Sequence, residues 1–414
     1  MPLPRLLATP AEIGVDRAAM EALFQRVSLE VSEGRVEGCQ VAIARHGRVA
    51  GSASFGSGGG RPVTDSTLFC CFSCTKATGA VAAWQLIDEG KISLDARVVD
   101  YIPEFATNGK EVVTIKQLVT FTAGFPNPKG STANLAKPAA FSTSAARCAE
   151  FEQWELEWEP GSRWEYHPLS AHWVLMEIVE RVTGLEFRDY LRTRVLDPAG
   201  LSEFWVGCPE ELQPQLHFAD IVTFPEQPKN PMASWNSAKV RALGVPAGGG
   251  WVCASDLALL YQPLLNGGHV YGGGQICTAT AIKRGTTLLT DSRHTDMGGR
   301  IPKLRGIVME LAGDDGDISF PANGPEELRQ LEGQTWPKKV FRQGGFGSKV
   351  SAQAFGHDGA GGQIAWADPQ TGISVAFVHN TFGPMANPGR VKRDMEISDL
   401  AAVCAADPLA KAKL

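Results

Sequence analysis

The 414-residue chain has no run of 18 apolar residues, no run of five like charges and no second C-x-x-C beside Cys71-Phe72-Ser73-Cys74. The first absence predicts no transmembrane helix. The opening segment Met1-Pro2-Leu3-Pro4-Arg5-Leu6-Leu7 carries no apolar secretory core, so the reading is a cytoplasmic protein. The second absence, with a formal net charge of -6, excludes the basic footprint of a nucleic-acid or anionic-membrane binder. A small neutral molecule is the expected partner. The third leaves Cys71 and Cys74 without the other half of a zinc site, and the nearest histidine in sequence is His46. No metal or cofactor is expected. Nine cysteines, an odd number in a long chain, are read as free thiols. G-x-S-x-G, H-x-H-x-D and H-E-x-x-H are also missing, which excludes a nucleophile elbow and two metallohydrolase patterns.

What is present is an ordinary globular composition, 43% hydrophobic and 20% charged, long enough for two or three domains. Residues 11–34 read as a charged amphipathic helix. Cys39 to Arg45 and Val49 to Phe55 alternate around His46-Gly47 as a hairpin. From Ser73 the apolar positions Ala77, Ala80, Val81, Trp84 and Ile87 mark a buried helix that stops at Gly90. The middle reads as mainly helical: Val113 to Thr120, Thr143 to Trp154, Ser170 to Thr183 before Gly184, and Ala254 to Leu265 before Asn266-Gly267-Gly268. Strands return at Gly306 to Leu311, Ala352 to His357, Gln363 to Ala367 and Gly372 to His379, and a helix follows from about Arg390 to Ala405. Residues 312–350, glycine-rich and poorly patterned, read as a surface excursion. An early hairpin that must join late strands predicts an α/β (α+β) fold, an antiparallel sheet flanked by helices with an inserted mostly helical domain. The expected division is 1–95 with 285–414 as the sheet domain and 96–284 as the helical one, with the active site in the cleft between them.

Three places carry chemistry. Ser73-Cys74-Thr75-Lys76 puts a hydroxyl and an amine at i and i+3, neighbours on a helical surface; this is the arrangement of an activated serine nucleophile. It is the one S-x-x-K in the chain. Tyr166-His167-Pro168 follows Pro160-Gly161-Ser162-Arg163-Trp164-Glu165, and Gly356-His357-Asp358-Gly359-Ala360-Gly361-Gly362 joins two strands, where glycines let a substrate approach the backbone.

Together with Thr114-Ile115-Lys116-Gln117-Leu118-Val119-Thr120-Phe121-Thr122-Ala123-Gly124 and Ala247-Gly248-Gly249-Gly250-Trp251, taken in order, these motifs resemble the serine β-lactamase and penicillin-binding-protein-like superfamily. The resemblance is strongest to the class C β-lactamase-like branch that includes the family VIII carboxylesterases, and it covers nearly the whole chain. It implies Ser73 as the acylated nucleophile, Lys76 as its proton-shuttling partner and Tyr166 as a general base that later protonates the leaving group. It places His357 beside the tyrosine and forms an oxyanion hole from the N–H groups of Ser73 and Ala360, with Gly359 in the same substrate-binding turn.

That set makes a physical demand. Lysine near 10.4 and tyrosine near 10 are almost wholly protonated at pH 7, so either base needs its pKa lowered by about 3 units, roughly 4 kcal/mol. The residues alone leave open which of Lys76 and Tyr166 gives up its proton. Departures from the family pattern point to the substrate. Pro168 stands where the Asn or Ser side chain of the family's Tyr-x-Asn (or Ser) would contact a β-lactam amide, and it has no donor. His357-Asp358-Gly359 replaces Lys-Thr-Gly, exchanging a fixed cation for a group mostly neutral near pH 7 with an acid beside it. The expectation is therefore an esterase acting on a small-molecule ester. Acyl transfer to another acceptor, weak β-lactamase or D-amino-acid peptidase activity, and a silent binding protein of the same fold are the alternatives. Strand alternation predicts that only one of His357 and Asp358 lines the cleft. His167 reads equally as support for the site or as a solvent-facing loop residue. The tryptophans at 154, 158, 164 and 173 read first as core and second as an acyl pocket. Oxidation or alkylation at Cys71 or Cys74 is expected to obstruct Ser73.

Overall fold

The computed structural model describes residues 6–128, 138–223, 232–290, 305–313, 346–383 and 388–406, with strand fragments at 295–296, 301–302, 317–319 and 335–337. Helix α1 (Arg17–Ser32) begins where the Asp16 carboxylate accepts the Ala19 N–H at 2.9 Å. The expected longer helix is broken before this point: Pro10–Ile13 is a separate 3-10 turn, ended by Gly14 at φ 63°. The hairpin follows as β1 (Gly38–Arg45) and β2 (Arg48–Gly58), then β3 (Arg61–Pro62) and β4 (Leu68–Cys70). Helix α2 (Lys76–Asp88) is buried along nearly its whole length. The middle contributes α3 (Ile115–Val119), α4 (Ser144–Gln153), α5 (Ser170–Thr183), β5 (Phe204–Val206), β6 (Phe218–Ala219), β7 (Gly250–Val252) and α6 (Ala254–Leu265). The last elements used below are β8 (Glu310–Leu311), β9 (Phe355–Gly359), β10 (Gln363–Ala367), β11 (Ile373–His379) and α7 (Pro388–Ala402).

The main sheet has seven strands in the order β8-β9-β10-β11-β1-β2-β3, antiparallel throughout. The early hairpin does join the late strands: Cys39 faces His379 and Arg45 faces Ile373. Every residue of β1 is buried because helices cover both faces. Cys39, Val41 and Ile43 pack into the core that holds Leu23 and Val27 of α1 and Ile397 of α7. The alternate residues Ala42 and Ala44 join the larger core with Leu257 and Leu260 of α6. This period of two fixes the strand's register. Among the described residues, no helix is long and apolar enough to cross a membrane.

Three expectations about elements are corrected. The middle also contributes three strands, β5, β6 and β7, which join β4 in a four-stranded sheet, β5-β7-β4-β6, whose strands of two or three residues are too short to show alternation. The strand expected from Gly306 shrinks to Glu310–Leu311, since Val308 sits at φ 68° and the Gly306 N–H turns back to Met309 O at 3.1 Å. The strand expected from Ala352 starts at Phe355, after a turn in which Ala354 N–H donates to Ser351 O. Most of the 312–350 excursion lies outside the described residues.

Candidate active site

Ser73 is not on an α-helix but in a 3-10 turn, Phe72–Thr75, between β4 and α2. In a 3-10 turn residues i and i+3 eclipse, so the pairing of Ser73 with Lys76 survives and Nζ lies 3.1 Å from Oγ. Phe72 takes φ 44°, an unusual angle for a side-chain-bearing residue directly before the serine. Its ring is held between Phe382 (5.5 Å) and Trp235 (5.7 Å), and no sequence motif marked either as part of the site. The turn is pinned from β7: Gly250 N–H donates to Thr75 Oγ1 at 2.8 Å, and Cys71 N–H to Gly250 O at 2.9 Å. A Cβ at Gly250 would stand 2.6 Å from Thr75 Oγ1, so this glycine has a steric reason.

Lys76 is fully buried, and its Nζ also contacts the carbonyl oxygens of Pro168 (2.8 Å) and Ala247 (2.9 Å). Burial, and then the positive charge of Arg305, push its pKa down to about 7. Tyr166 donates its hydroxyl to Ser73 Oγ at 2.8 Å. Burial holds its pKa above the ordinary value for a phenol. Its ring meets Phe121 edge-on at 5.3 Å and lies 5.0 Å from Lys76 Nζ. The neighbouring His167 is fully buried, which settles its place: Phe125 N–H donates to Nε2 at 3.3 Å, Nδ1 lies 2.7 Å from Glu165 O, and burial lowers its pKa to about 4. It is a neutral strut under the Tyr166 loop.

His357 is fully buried with its ring 6.0 Å from that of Tyr166. The expected divergence of His357 and Asp358 does not occur. Nδ1 folds back to the Asp358 carbonyl oxygen at 2.7 Å and stands 3.8 Å from Asp358 Oδ1, although both residues still pair with β10. Glu310 completes a cluster whose ligating atoms lie within 4.8 Å of one another. That cluster already faces a cation: Arg305, 1% exposed, is paired with Glu310, donates to Val308 O and lies 5.6 Å from the Tyr166 ring. Burial and Arg305 lower His357 to about 3, while Asp358, whose side chain is 41% exposed, is raised by partial desolvation and by Glu310.

Gly359 lies against the serine loop, where a Cβ would come 2.5 Å from Cys71 O. Ala360 follows it, partly buried against the main core. Thus Ser73, Lys76, Tyr166 and His357 lie together, with Gly359 against the serine loop and Ala360 next to it in the chain. Sequence reasoning missed Arg305 and Glu310, which lie just before and within a segment read only as a strand, and the two carbonyls that hold Lys76. Trp154, Trp164 and Trp173 belong to the core, in line with their first reading. The thiol expectation is corrected: Cys71 and Cys74 have no exposed surface, and burial pushes Cys71 up to about 12 and raises Cys74 as well.

A mixed fold with a central antiparallel sheet, carrying a serine between a buried lysine and a tyrosine, defines the class of protein. The chain matches the family described as Beta-lactamase over residues 17–398 and belongs to that family. It is 24% identical over 319 residues to the esterase/beta-lactamase LipL of Mycobacterium tuberculosis, covering 75% of this chain and 68% of that protein. A penicillin-binding-protein homologue from Caulobacter crescentus superposes with TM-score 0.70 at 27% identity, over 93% of this chain and 96% of that one. A family VIII carboxylesterase structure shares the fold with TM-score 0.71 at 23% identity, over 93% and 98%.

Proposed function

We propose that the protein is a serine carboxylesterase working through an acyl-enzyme on Ser73, with Lys76 as base and Tyr166 as proton donor. The observation that carries this reading is the shared serine oxygen, 3.1 Å from Lys76 Nζ and 2.8 Å from the Tyr166 hydroxyl. Pro168 O and Ala247 O can only accept. A neutral Lys76 amine gives its two N–H groups to them and turns its lone pair to the Ser73 hydroxyl. An ammonium would use all three donors on these neighbours and could take no proton. A lysine pKa near 7 and a raised tyrosine pKa support the same division at neutral pH.

Ser73 Oγ then attacks the ester carbonyl as its proton passes to Lys76. The oxyanion is received by the N–H groups of Ser73 and Ala360. The proton reaches the leaving alkoxide by way of Tyr166, and water, deprotonated by the same base, releases the acid. Esters are favoured over β-lactams because Pro168 lacks a side-chain donor and His357 is held neutral. Arg305 is committed to Glu310 and Val308 O. LipL's description, which pairs esterase with beta-lactamase, supports the hydrolase reading, and the family VIII carboxylesterase neighbour accords with the choice of esters.

The test is hydrolysis of p-nitrophenyl acetate and butyrate beside a chromogenic cephalosporin, with Ser73→Ala as control. The expected result is ester turnover that exceeds cephalosporin turnover and disappears in Ser73→Ala. Equal rates in wild type and Ser73→Ala would overturn the assignment.

A further inference from the structure

A cavity of about 350 Å³, whose lining includes none of Ser73, Lys76, Tyr166 and His357, opens beside Gly361 and the first turn of α7. Its lining is strongly basic: Arg26, Arg35, Arg390, Lys392 and Arg393 against the two carboxylates Glu30 and Glu396. The fully buried Glu30 is already shared, lying 2.7 Å from Arg26, 2.9 Å from Arg35 and 3.9 Å from Arg393. Arg393, 7% exposed, is further engaged by Asp394 and by the carbonyl oxygens of Gly361 and Gly362, each 3.3 Å away.

Arg390 is left over. Its Nε lies 3.6 Å from Asp394 Oδ2, yet Nε and Nη1 are buried and make no hydrogen bond among the described residues. Buried guanidinium donors without acceptors are costly. The planar fork of arginine matches a carboxylate or phosphate, and the first turn of a helix favours negative charge. Glu30 Oε2 is itself buried without a hydrogen bond, yet five basic side chains against two carboxylates leave the lining net positive, and with the unused Arg390 donors it selects an oxyanion.

We propose that this cavity binds a small oxyanion, a phosphate or a carboxylate, at a site separate from Ser73. The test is calorimetric titration of the full chain with inorganic phosphate and with citrate at constant ionic strength. One saturable event is expected with at least one of them, and the stronger binder tells which chemistry the site prefers. Binding should persist in Lys76→Gln, which removes the amine beside Ser73. It should weaken about tenfold in Arg390→Gln, the loss of one charge-assisted contact, and severalfold in Lys392→Gln, whose side chain is 80% exposed and outside the core. No saturable heat with either anion, or binding that vanishes in Lys76→Gln, would overturn the proposal. Affinity unchanged in both folded Arg390→Gln and Lys392→Gln would do the same; if Arg390→Gln does not fold, Lys392→Gln decides.

Discussion

Lys76 Nζ and Pro168 are joined by a 2.8 Å hydrogen bond to the proline's carbonyl oxygen. The main chain at position 168 thus holds the buried amine whatever side chain stands there, which explains how a proline can occupy a place where the family pattern has Asn or Ser. Pro168→Asn keeps that carbonyl and adds a donor. Its ester kcat/KM is expected to stay within about threefold of wild type. Its cephalosporin rate should rise about fivefold, the equivalent of one net hydrogen bond of about 1 kcal/mol. Parallel assays of both substrates check this, and an ester rate that collapses would mean position 168 does more than present its carbonyl.

The pKa of Lys76, lowered to about 7 by burial and Arg305, sets the pH profile. Below that value the amine is protonated and has no lone pair for Ser73. Ester kcat/KM should therefore fall about tenfold per pH unit below 7 and level off above it. A limb centred near 10 instead would show that Lys76 keeps its ordinary pKa.

The sheet, α2, α5 and α6 were legible because each carries a long period of 2 or 3.6 with a glycine stop, as at Gly184 and Gly268. The three site motifs were legible because their chemistry resides in side-chain identity. What escaped was chemistry carried by backbone: the Pro168 and Ala247 carbonyls have no residue-type signature, and Pro168 was read only for the donor it lacks. Arg305 and Glu310 escaped for another reason. They approach Tyr166 and His357 through a turn at Val308 with positive φ, and nothing in the surrounding sequence announces that turn.

Tyr166→Phe removes the hydroxyl that donates to Ser73 and keeps the ring that meets Phe121 at 5.3 Å. Folding should be intact by circular dichroism, while kcat on an alkyl ester drops about 10²- to 10⁴-fold, the range for a lost acid–base group. The drop should be smaller for p-nitrophenyl esters than for alkyl esters, because nitrophenolate leaves without a proton. Equal losses on both would remove Tyr166 from leaving-group protonation.

Cys71 and Cys74 flank Ser73 but are sealed, with thiol pKa values raised by burial. Iodoacetamide at pH 7.5 is expected to leave both unmodified by mass spectrometry in the native protein and to label them after denaturation. Rapid native labelling at either position would mean that the serine turn opens readily.

Burying Lys76 has a thermodynamic cost that pH can expose. Its pKa falls from 10.5 in the unfolded chain to about 7 in the folded one. Between those values the unfolded state holds a proton that the folded state lacks, so this group's contribution makes wild-type stability rise with pH. Below pH 7 both states are charged and the full penalty, roughly 5 kcal/mol for this shift, is present. Lys76→Met has no such penalty but loses the bonds to Pro168 O and Ala247 O, a cost that does not vary with pH. The stability of Lys76→Met relative to wild type should therefore be greatest at or below pH 7 and decline by about 2 to 3 kcal/mol by pH 9. Urea unfolding of both proteins at pH 6, 7, 8 and 9 measures the difference. A difference independent of pH would show that the amine beside Ser73 is not depressed, and with it the base assigned to Lys76 would fall.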